Sequence, residues 1–536
     1  MTQAAAAATQ KGFLGWVERT GNKLPDPVFI FFYLIAVLIV VSVIAAWAGT
    51  AASHPAEIDP DTGAARVITA KSLLSAENIQ KLWVDMPKTF THFHPLGYVL
   101  VVMLGAGVAE RAGLFGTAMR AGVRNAPKFL LTPLVVLVGM VGNLAADAAY
   151  VVLIPLAGIL FAAAGRHPIA GIAASFAGVS GGFSANLFPG QLDALLFGIT
   201  EASVETVFGD WTANIAGNWF FIAAMTFLFL PVIWYLTDKV IEPKLGRYVA
   251  AEGAGADPDD ADKPLTDGER KGLKRAGLAT LAVIALWIFF TVGPDTPLYD
   301  ESANAEARLT PFYQSLVAGF FILFLAAAWA YGKAAGTIKD HRDLVKMMSE
   351  AMQDLGYYLV LAFAAAHFVA MFAWSELGLI LAVNGANFLQ GFNLPAPVLL
   401  AVIVLFSGFL NLFVGSASAK WALLAPVLVP MLILLGISPE TTTAAYRVGD
   451  SATNLITPLM VYLPLILIFC QRWQKDFGLG SLMAMMIPYS MALLVAGTAL
   501  IMLWVGLDIP MGPGAGVFTN PADYGIIESV DAAPAG

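Results

Sequence analysis

Residues 411–458 read NLFVGSASAKWALLAPVLVPMLILLGISPETTTAAYRVGDSATNLITP. This stretch carries a lysine, an arginine, an aspartate, two asparagines and several hydroxyl groups, and glycine and proline interrupt it, although strongly apolar runs surround it. Hydrocarbon tolerates such a segment only where the segment is buried against protein or lines a polar cavity. The sequence therefore predicts that the functional centre of the molecule lies here.

The composition of the chain is that of a polytopic membrane protein. Of its 536 residues, 58% are hydrophobic and 12% are charged, whereas soluble domains carry about 25% charged residues. Several apolar runs reach the roughly 20 residues that a helix needs to cross a bilayer. The net charge of −9 includes no basic patch that would favour nucleic acid, and the single cysteine, Cys470, excludes a disulfide framework or a multi-cysteine metal site. The predicted fold is all-α, with nine transmembrane helices and two re-entrant hairpins.

Basic residues mark the cytoplasmic side under the positive-inside rule, and they divide the chain into five segments. The predicted order is a cytoplasmic N-terminal segment (1–27), a first transmembrane half (28–236), a cytoplasmic linker (237–275), a second transmembrane half (276–506) and a periplasmic tail (507–536). The linker is assigned to the cytoplasm because it is rich in Lys and Arg, and the tail to the opposite side because it has neither. We expect the chain to lie in a bacterial inner membrane.

Each half contains an apolar segment with a polar tip, followed by an interrupted helix. The first half is predicted to have a hairpin at 129–164 and a broken helix at 169–200, and the second half to have them at 396–436 and 441–469. Basic residues on both flanks of the first hairpin favour entry and exit on the cytoplasmic side, although one long tilted span fits the same pattern. The second hairpin has no basic flank at its end and is expected to enter from outside.

Two pairs of Asn-Leu dipeptides indicate an internal repeat. Asn411 follows Asn143 by 268 positions, and Asn454 follows Asn186 by the same number. With the hairpins on opposite sides, this is the inverted-topology repeat of many secondary transporters, whose substrate and ion sites form near the midplane from discontinuous helices. Neutral side-chain oxygens suit Na⁺, so the four asparagines are candidate sodium ligands. They could also simply cap the helix ends, and the two roles are compatible.

Four motifs lie around these breaks: GNLAADAAYVVLIPLAG (142–158), SGGFSANLFPGQLDALL (180–196), GSASAKWALLAPVLVPM (415–431) and AYRVGDSATNLITPLM (445–460). Together they resemble the AbgT family of p-aminobenzoyl-glutamate transporters, and the resemblance covers nearly the whole chain. It implies a homodimer with nine spans and two hairpins in each protomer. It also implies ion-coupled movement of p-aminobenzoyl-glutamate or sulfonamide-like drugs. By motif match, the resemblance points to Asp193, Ser418, Trp421, Pro439, Arg447, Asp450 and Pro458.

Four side chains near the second break admit both a structural and a functional interpretation. Arg447 and Asp450 share a helix face and could form a buried pair that fixes the packing. Alternatively, Arg447 binds a substrate carboxylate, and Asp450 orients it or exchanges a cation. Trp421 is either an interfacial anchor or a surface that stacks on an aminobenzoyl ring. Lys420 could balance Asp450, contact the substrate or extend to the membrane surface.

Further candidates concern the coupling ion. Asp193 follows the first break, where partial burial would let it carry a proton, and a solvated helix-end aspartate is the alternative. Asp147, at the tip of the first hairpin, could bind a cation or cap a half-helix. Ser416 and Ser418 could donate hydrogen bonds to a substrate or offer oxygen to an ion. His367 is interpreted as a core histidine bonded to a neighbouring carbonyl rather than as a proton relay.

The inverted repeat thus predicts a secondary transporter that works by alternating access, and the resemblance implies that it is ion-coupled and binds a small aromatic carboxylate or a sulfonamide. It is not expected to be an enzyme, nor to need a cofactor beyond the coupling ion. Neutral oxygens favour Na⁺ as that ion, whereas membrane carboxylates favour H⁺. One rival function is an intramembrane serine protease with Ser180, in GVSGG at 178–182, and His367 as its dyad, but the strand–turn–helix setting of such a nucleophile is absent. The other rival is a passive channel.

Overall fold

The computed structural model describes residues 26–58, 65–124, 127–145, 148–209, 211–246, 248, 264–292, 295–302, 308–457, 460 and 462–524. These residues are predominantly helical, as predicted. The sequence did not predict strands β1 (Ala51–Ile58) and β2 (Ala65–Thr69), which form an antiparallel hairpin in the loop after the first helix. The strands are short, and their pairing begins with Ala51 opposite Thr69.

Helices of the first half surround one hairpin and one broken helix. They are α1 (Pro27–Trp47), α2 (Ala76–Val84), α3 (Met86–Thr91), α4 (His94–Arg111), α5 (Leu114–Arg124), α6 (Leu131–Gly142), α7 (Ala148–Ala163), α8 (Pro168–Phe176), α9 (Gln191–Phe208), α10 (Trp219–Leu236) and α11 (Glu242–Leu245). Helices α6 and α7 correspond to the hairpin predicted at 129–164. Helix α8 ends in a π-helical turn at Ala177–Gly181, and α9 begins ten residues later, so the helix predicted at 169–200 is interrupted.

The second half repeats this order. Its helices are α12 (Asp267–Thr291), α13 (Thr310–Gln314), α14 (Leu316–Ala335), α15 (His341–Asp354), α16 (Gly356–Trp374), α17 (Leu377–Gln390), α18 (Ala396–Asn411), α19 (Ala417–Ile433), α20 (Pro439–Thr453), α21 (Leu463–Gln471) and α22 (Leu479–Gly506). Helices α18 and α19 correspond to the second predicted hairpin, and α20 and α21 to the second broken helix.

Helices extend into both ends of the hydrophilic linker predicted at 237–275. Helix α10 continues through a π-helical turn into α11, and α12 already begins at Asp267. The early start of α12 has a local cause, since Thr266 and Glu269 form a capping box that satisfies the first free N–H groups of the helix. Basic residues at both ends of the linker therefore lie on helical extensions of the neighbouring spans.

Six helices of the described ranges are long and apolar enough to cross a membrane: α1, α10 with its continuation, α12, α14, α16 and α22. Helices α4 and α5 together would add a broken span, since they meet at an angle of 64°. The apolar helices beside the polar breaks are shorter, at 10–17 residues, because the breaks divide them. The number of nine crossings stays a prediction.

Matching hydrogen bonds reproduce the 268-residue repeat. Asn143 Nδ2 donates to Gly182 O at 3.3 Å, and Asn411 Nδ2 donates to Asp450 O at 2.9 Å. The two donors are 268 positions apart, and so are the two acceptors. In both halves, the asparagine at the end of the first hairpin arm thus donates to a main-chain carbonyl near the point where the following helix breaks.

The buried core brings the two halves together. The largest hydrophobic cluster combines α6, α7 and α8 of the first half with α18, α20 and α22 of the second. A second cluster joins α1, α9, α16 and α19. Helices α9, α19 and α20 contact one another between these clusters, and the candidate residues lie mainly on these three helices.

Candidate functional site

Helix α20 forms from the most polar part of 411–458, yet all 15 of its residues are buried. Its start is well defined, because the Ser438 side chain accepts the Thr441 N–H at 3.1 Å and Pro439 occupies the first turn, where a missing N–H costs nothing. Arg447 and Asp450 of this helix are each only 1% exposed. Charges in such surroundings are tolerated only when they are paired.

The two charges on α20 have different partners. Arg447 Nη1 binds Asp193 Oδ1 of α9 at 2.6 Å, and Asp450 Oδ1 binds Lys420 Nζ of α19 at 2.5 Å. The alternative in which Arg447 and Asp450 pair with each other is therefore wrong. Residues three apart share a helix face, but here α9 and α19 each bring an opposite charge to that face.

Asp193 is buried rather than solvated, so the interpretation as a solvated helix-end aspartate is wrong. Its second oxygen accepts the Gly190 N–H at 2.8 Å and completes the cap of α9. The same carboxylate thus caps the N-terminus of a helix in the first repeat and binds Arg447 of the second repeat. The Nε atom of Arg447 is buried without a hydrogen-bond partner among the described residues, so its N–H group is available to donate to a ligand.

Trp421 is completely buried, and the alternative of an interfacial anchor is wrong. Its Nε1 donates to Thr200 Oγ1 at 3.0 Å and to Leu196 O at 3.2 Å, both on α9. Its ring stacks on Tyr446 of α20, with 4.5 Å between the ring centroids. One indole therefore joins α9, α19 and α20. Thr200 and Tyr446 were not expected at the site, since a single threonine or tyrosine within a helix gives no signal in the sequence.

Lys420 is also completely buried, so it does not extend to the membrane surface. Its ammonium lies 2.5 Å from Asn411 Oδ1 as well as 2.5 Å from Asp450 Oδ1. Because an ammonium group only donates, the amide oxygen of Asn411 must face it. Of the three roles considered for Lys420, the balance of Asp450 is the arrangement found.

The four predicted sodium ligands differ in what they offer to an ion. In the second repeat, Asn411 Oδ1 is bound to Lys420 and Asn454 Oδ1 accepts from Asn411 Nδ2 at 2.8 Å. These two oxygens are therefore occupied by donors, and the residues do not fit a bound Na⁺ in this conformation. In the first repeat, Asn143 and Asn186 direct their amide nitrogens to main-chain carbonyls, as capping residues do.

Of the remaining candidates, two serines are described by the structure and two residues are not. Ser416 caps α19 by accepting the Ala419 N–H at 3.3 Å and lies 3.3 Å from the Ser418 hydroxyl. Ser418 lines a small, otherwise largely apolar cavity of about 10 Å³ between α9, α16 and α19, about the space of one water molecule. Asp147 and Pro458 lie outside the described residues.

Ser180 and His367 do not form a dyad. Ser180 Oγ donates to Met460 Sδ at 3.4 Å, while His367 Nδ1 is 2.7 Å from Phe363 O in its own helix. No hydrogen bond joins the two side chains, although both are described. His367 has the contact expected of a core histidine, and its Nε2 is buried without a partner among the described residues. The described residues contain no group of three or more His, Cys, Asp or Glu side chains that could hold a metal ion.

A crevice of about 780 Å³ lies beside the first hairpin. Helix α7 and helix α21 form one wall, and α5, α14 and the start of α12 form the other. Arg120 pairs with Glu269 at 2.5 Å on its lining, where the Thr117 and Tyr331 hydroxyls are 2.6 Å apart. Its walls run along α7 from Val151 to beyond Pro155, so the crevice extends towards the hairpin tip.

The sequence model of the AbgT putative transporter family matches residues 12–519. The chain belongs to the AbgT family. It is 34% identical over 509 residues to the p-aminobenzoyl-glutamate transport protein of Escherichia coli (strain K12), covering 95% of this chain and 97% of that protein.

Two solved AbgT-family structures have the same fold. The YdaH transporter of Alcanivorax borkumensis, described as having an unusual topology, has a TM-score of 0.84 and 40% identity over 91% of this chain and all of that one. MtrF of Neisseria gonorrhoeae, described as illuminating a class of antimetabolite efflux pumps, has a TM-score of 0.86 and 42% identity over 94% of this chain and all of that one. The chain is therefore a multi-pass membrane transporter of this family.

Proposed function

We propose that this AbgT-family protein is an ion-coupled secondary transporter of p-aminobenzoyl-glutamate or of sulfonamide-type antimetabolites, acting by alternating access at a midplane site. The observation that carries the proposal is the buried Arg447, which stands between the two repeats with an unpartnered Nε donor. A guanidinium binds carboxylates through two parallel hydrogen bonds, and it stays charged in every conformation. It is thus suited to a substrate that ends in a carboxylate.

Asp193 supports this role, since it holds Arg447 through a single oxygen. In the proposed cycle, a substrate carboxylate takes the place of Asp193 on the guanidinium, or binds beside it through Nε. Either event changes the charge around Asp193. The displaced carboxylate is then free to take up a proton, which would link substrate binding to the proton gradient.

The aromatic part of the substrate is assigned to Trp421 and Tyr446. Their rings already stack on each other, so an aminobenzoyl ring would bind by parting or replacing that contact, at a separation typical of aromatic pairs. Ser418 lies one turn from Trp421 on α19 and could donate a hydrogen bond to an amide or sulfonyl oxygen. The cavity beside Ser418 holds only about one water, so binding requires the helices around it to separate.

That separation is the structural argument for alternating access. A crevice lies beside α7, whereas the charged and aromatic side chains between α9, α19 and α20 are buried, so a substrate reaches them only after the helices move. A passive channel would instead need a continuous path that ignores ion gradients. We propose nine crossings and two re-entrant hairpins, formed by α6–α7 and α18–α19, with the N-terminus in the cytoplasm and the C-terminus in the periplasm of a bacterial inner membrane.

The coupling ion is proposed to be H⁺ or Na⁺, with Asp193 as the proton carrier, and the protein is proposed to work as a homodimer. The apolar surface of α12 supports the last point, because little of this helix is buried within one chain. Such a face lies either in lipid or against a second copy. Cross-linking of Leu281→Cys on α12 in membranes distinguishes these possibilities.

The decisive experiment is flux in proteoliposomes under a Na⁺ gradient and a pH gradient, each applied alone. We expect one of them to drive saturable accumulation of labelled p-aminobenzoyl-glutamate or of a sulfonamide. Arg447→Ala and Trp421→Ala should abolish it at normal protein levels. The exposed Arg342 and Trp329 provide matched controls, since Arg342→Ala and Trp329→Ala should leave flux unchanged. Full flux in both site variants would refute the site, and flux that follows neither gradient would favour a channel.

A further inference from the structure

Lys420 and Asp450 have no charged counterparts in the first repeat. The positions 268 residues before them hold Val152 and Gly182, whereas the asparagine that caps the break is present in both copies. The second repeat thus has one additional cation and one additional anion at the same place. Since an isolated charge in the interior is strongly unfavourable, the two can only be accommodated together.

The ammonium of Lys420 is surrounded by groups that attract a cation. One carboxylate oxygen and one amide oxygen each lie 2.5 Å away, and the ring centroid of Tyr446 is 5.7 Å away. Oxygen atoms and an aromatic face are the groups that attract a monovalent cation in a site with little water. Arg447, on the same helix as Asp450, is paired with Asp193 of α9.

We infer that Lys420 is a built-in cation, whose ammonium fills the place in the second repeat where Na⁺ would otherwise bind to Asn411 and Asp450. A tethered group is present at a high effective concentration, on the order of millimolar or above, whatever the bath contains. In this conformation the second repeat therefore needs no sodium. For its role in the transport cycle the inference rests on the ion-coupled transport proposed above, but its test does not.

The test measures Na⁺ binding through stability. Purified protein is heated in NaCl or in choline chloride at equal ionic strength, and the melting temperatures are compared. In Lys420→Ala, Asp450 stays buried without its cation, so we expect NaCl to raise the melting temperature in a saturable way. At ten times its dissociation constant, Na⁺ would raise the ratio of folded to unfolded protein about elevenfold. The wild type should show a smaller difference between the salts, and Lys420→Ala/Asp450→Asn no more than the wild type.

A Lys420→Ala protein that responds to Na⁺ no more than the wild type overturns the inference. If the alanine variant does not fold in either salt, Lys420→Gln allows the same comparison, because its amide can still donate to Asp450 without carrying charge. A response that persists in the double variant also overturns the inference, since the ion would then bind elsewhere. No substrate or flux enters the measurement, so its failure and the failure of the proposed transport function are distinguishable.

Discussion

Variants of the ion pair between Arg447 and Asp193 distinguish a structural role of Arg447 from a role in substrate binding. Both side chains are almost fully buried, at 1% and 4% exposure. Removing one partner of such a pair leaves an uncompensated charge and costs about 3–5 kcal/mol. Asp193→Asn and Arg447→Gln should therefore each lower the free energy of unfolding by about 3 kcal/mol or more. The double variant keeps an amide–amide hydrogen bond. Its loss of unfolding free energy should therefore be smaller than the summed losses of the two single variants by at least about 2 kcal/mol.

The assay is reversible unfolding in detergent, followed by flux of labelled substrate in proteoliposomes at matched protein levels. If Arg447 contacts the substrate, the double variant regains stability but stays inactive. Recovery of flux together with stability would show that the pair only holds the helices. Strictly additive losses would refute the pairing itself. The exposed Lys346–Glu350 pair is the control, and its double variant should show no measurable coupling.

Three further predictions test other contacts. Trp421→Phe keeps a ring against Tyr446 but loses the indole hydrogen bonds, so it should cost about 1 kcal/mol, whereas Trp421→Ala should cost about 3–5 kcal/mol in unfolding measurements. Gly449→Ala would place a Cβ 2.2 Å from Val404 O and should destabilise the protein by about 1–3 kcal/mol or more, as measured by denaturant unfolding. His167→Asn should remove part of the stability loss that the wild type shows on acidification, as followed by melting temperature against pH.

The direction of the pH dependence expected for His167 follows from its position in the turn before α8. Burial lowers its pKa below the ordinary value of 6.5, although the carboxylate of Glu242 opposes the shift. Its Nδ1 accepts the Ile169 N–H at 3.3 Å and can do so only when unprotonated. The contribution is therefore complete above pH 6.5 and is lost as the pH falls through the lower folded-state pKa. Asparagine caps without titrating, and an unchanged pH profile in His167→Asn would contradict this account.

A control exists for the glycine prediction as well. A Cβ added at Gly356 meets no atom within 4 Å, so Gly356→Ala should not destabilise the protein. In contrast, the atom opposite Gly449 belongs to the main chain of α18 and cannot rotate away. Equal stability of the two alanine variants would mean that α18 and α20 are not packed as closely as described.

Much of the fold was predictable because its signals are local or repetitive. Apolar runs of sufficient length indicate spans, and the recurrence of Asn-Leu at a fixed spacing located the two breaks. The β1–β2 hairpin was missed, since its strands lie in a polar loop and pair mainly with each other. The early start of α12 was not expected either, because the linker was assigned by charge alone and a capping box begins the helix within it.

The balance of Asp450 by Lys420 was one of the roles expected from the sequence, but the pairing of Arg447 with Asp193 could not be predicted from spacing. Arg447 and Asp450 are three apart in sequence, and this proximity favoured a pair between them. Their actual partners, Asp193 and Lys420, are 254 and 30 residues away. Which helix meets which side of α20 is decided by the packing of the two repeats, and no pattern within 441–469 contains that information.

The resulting network explains why the second repeat carries the charges without destabilising the interior. Each cation faces one anion, so the four charges sum to zero, but the two pairs connect different elements. The Lys420–Asp450 pair connects two helices within the second repeat, whereas the Asp193–Arg447 pair connects the second repeat to the first. A ligand that binds Arg447 would weaken the link between the repeats and leave the internal pair intact. Relative movement of the repeats would thus depend on what occupies Arg447, which is the dependence that alternating access requires.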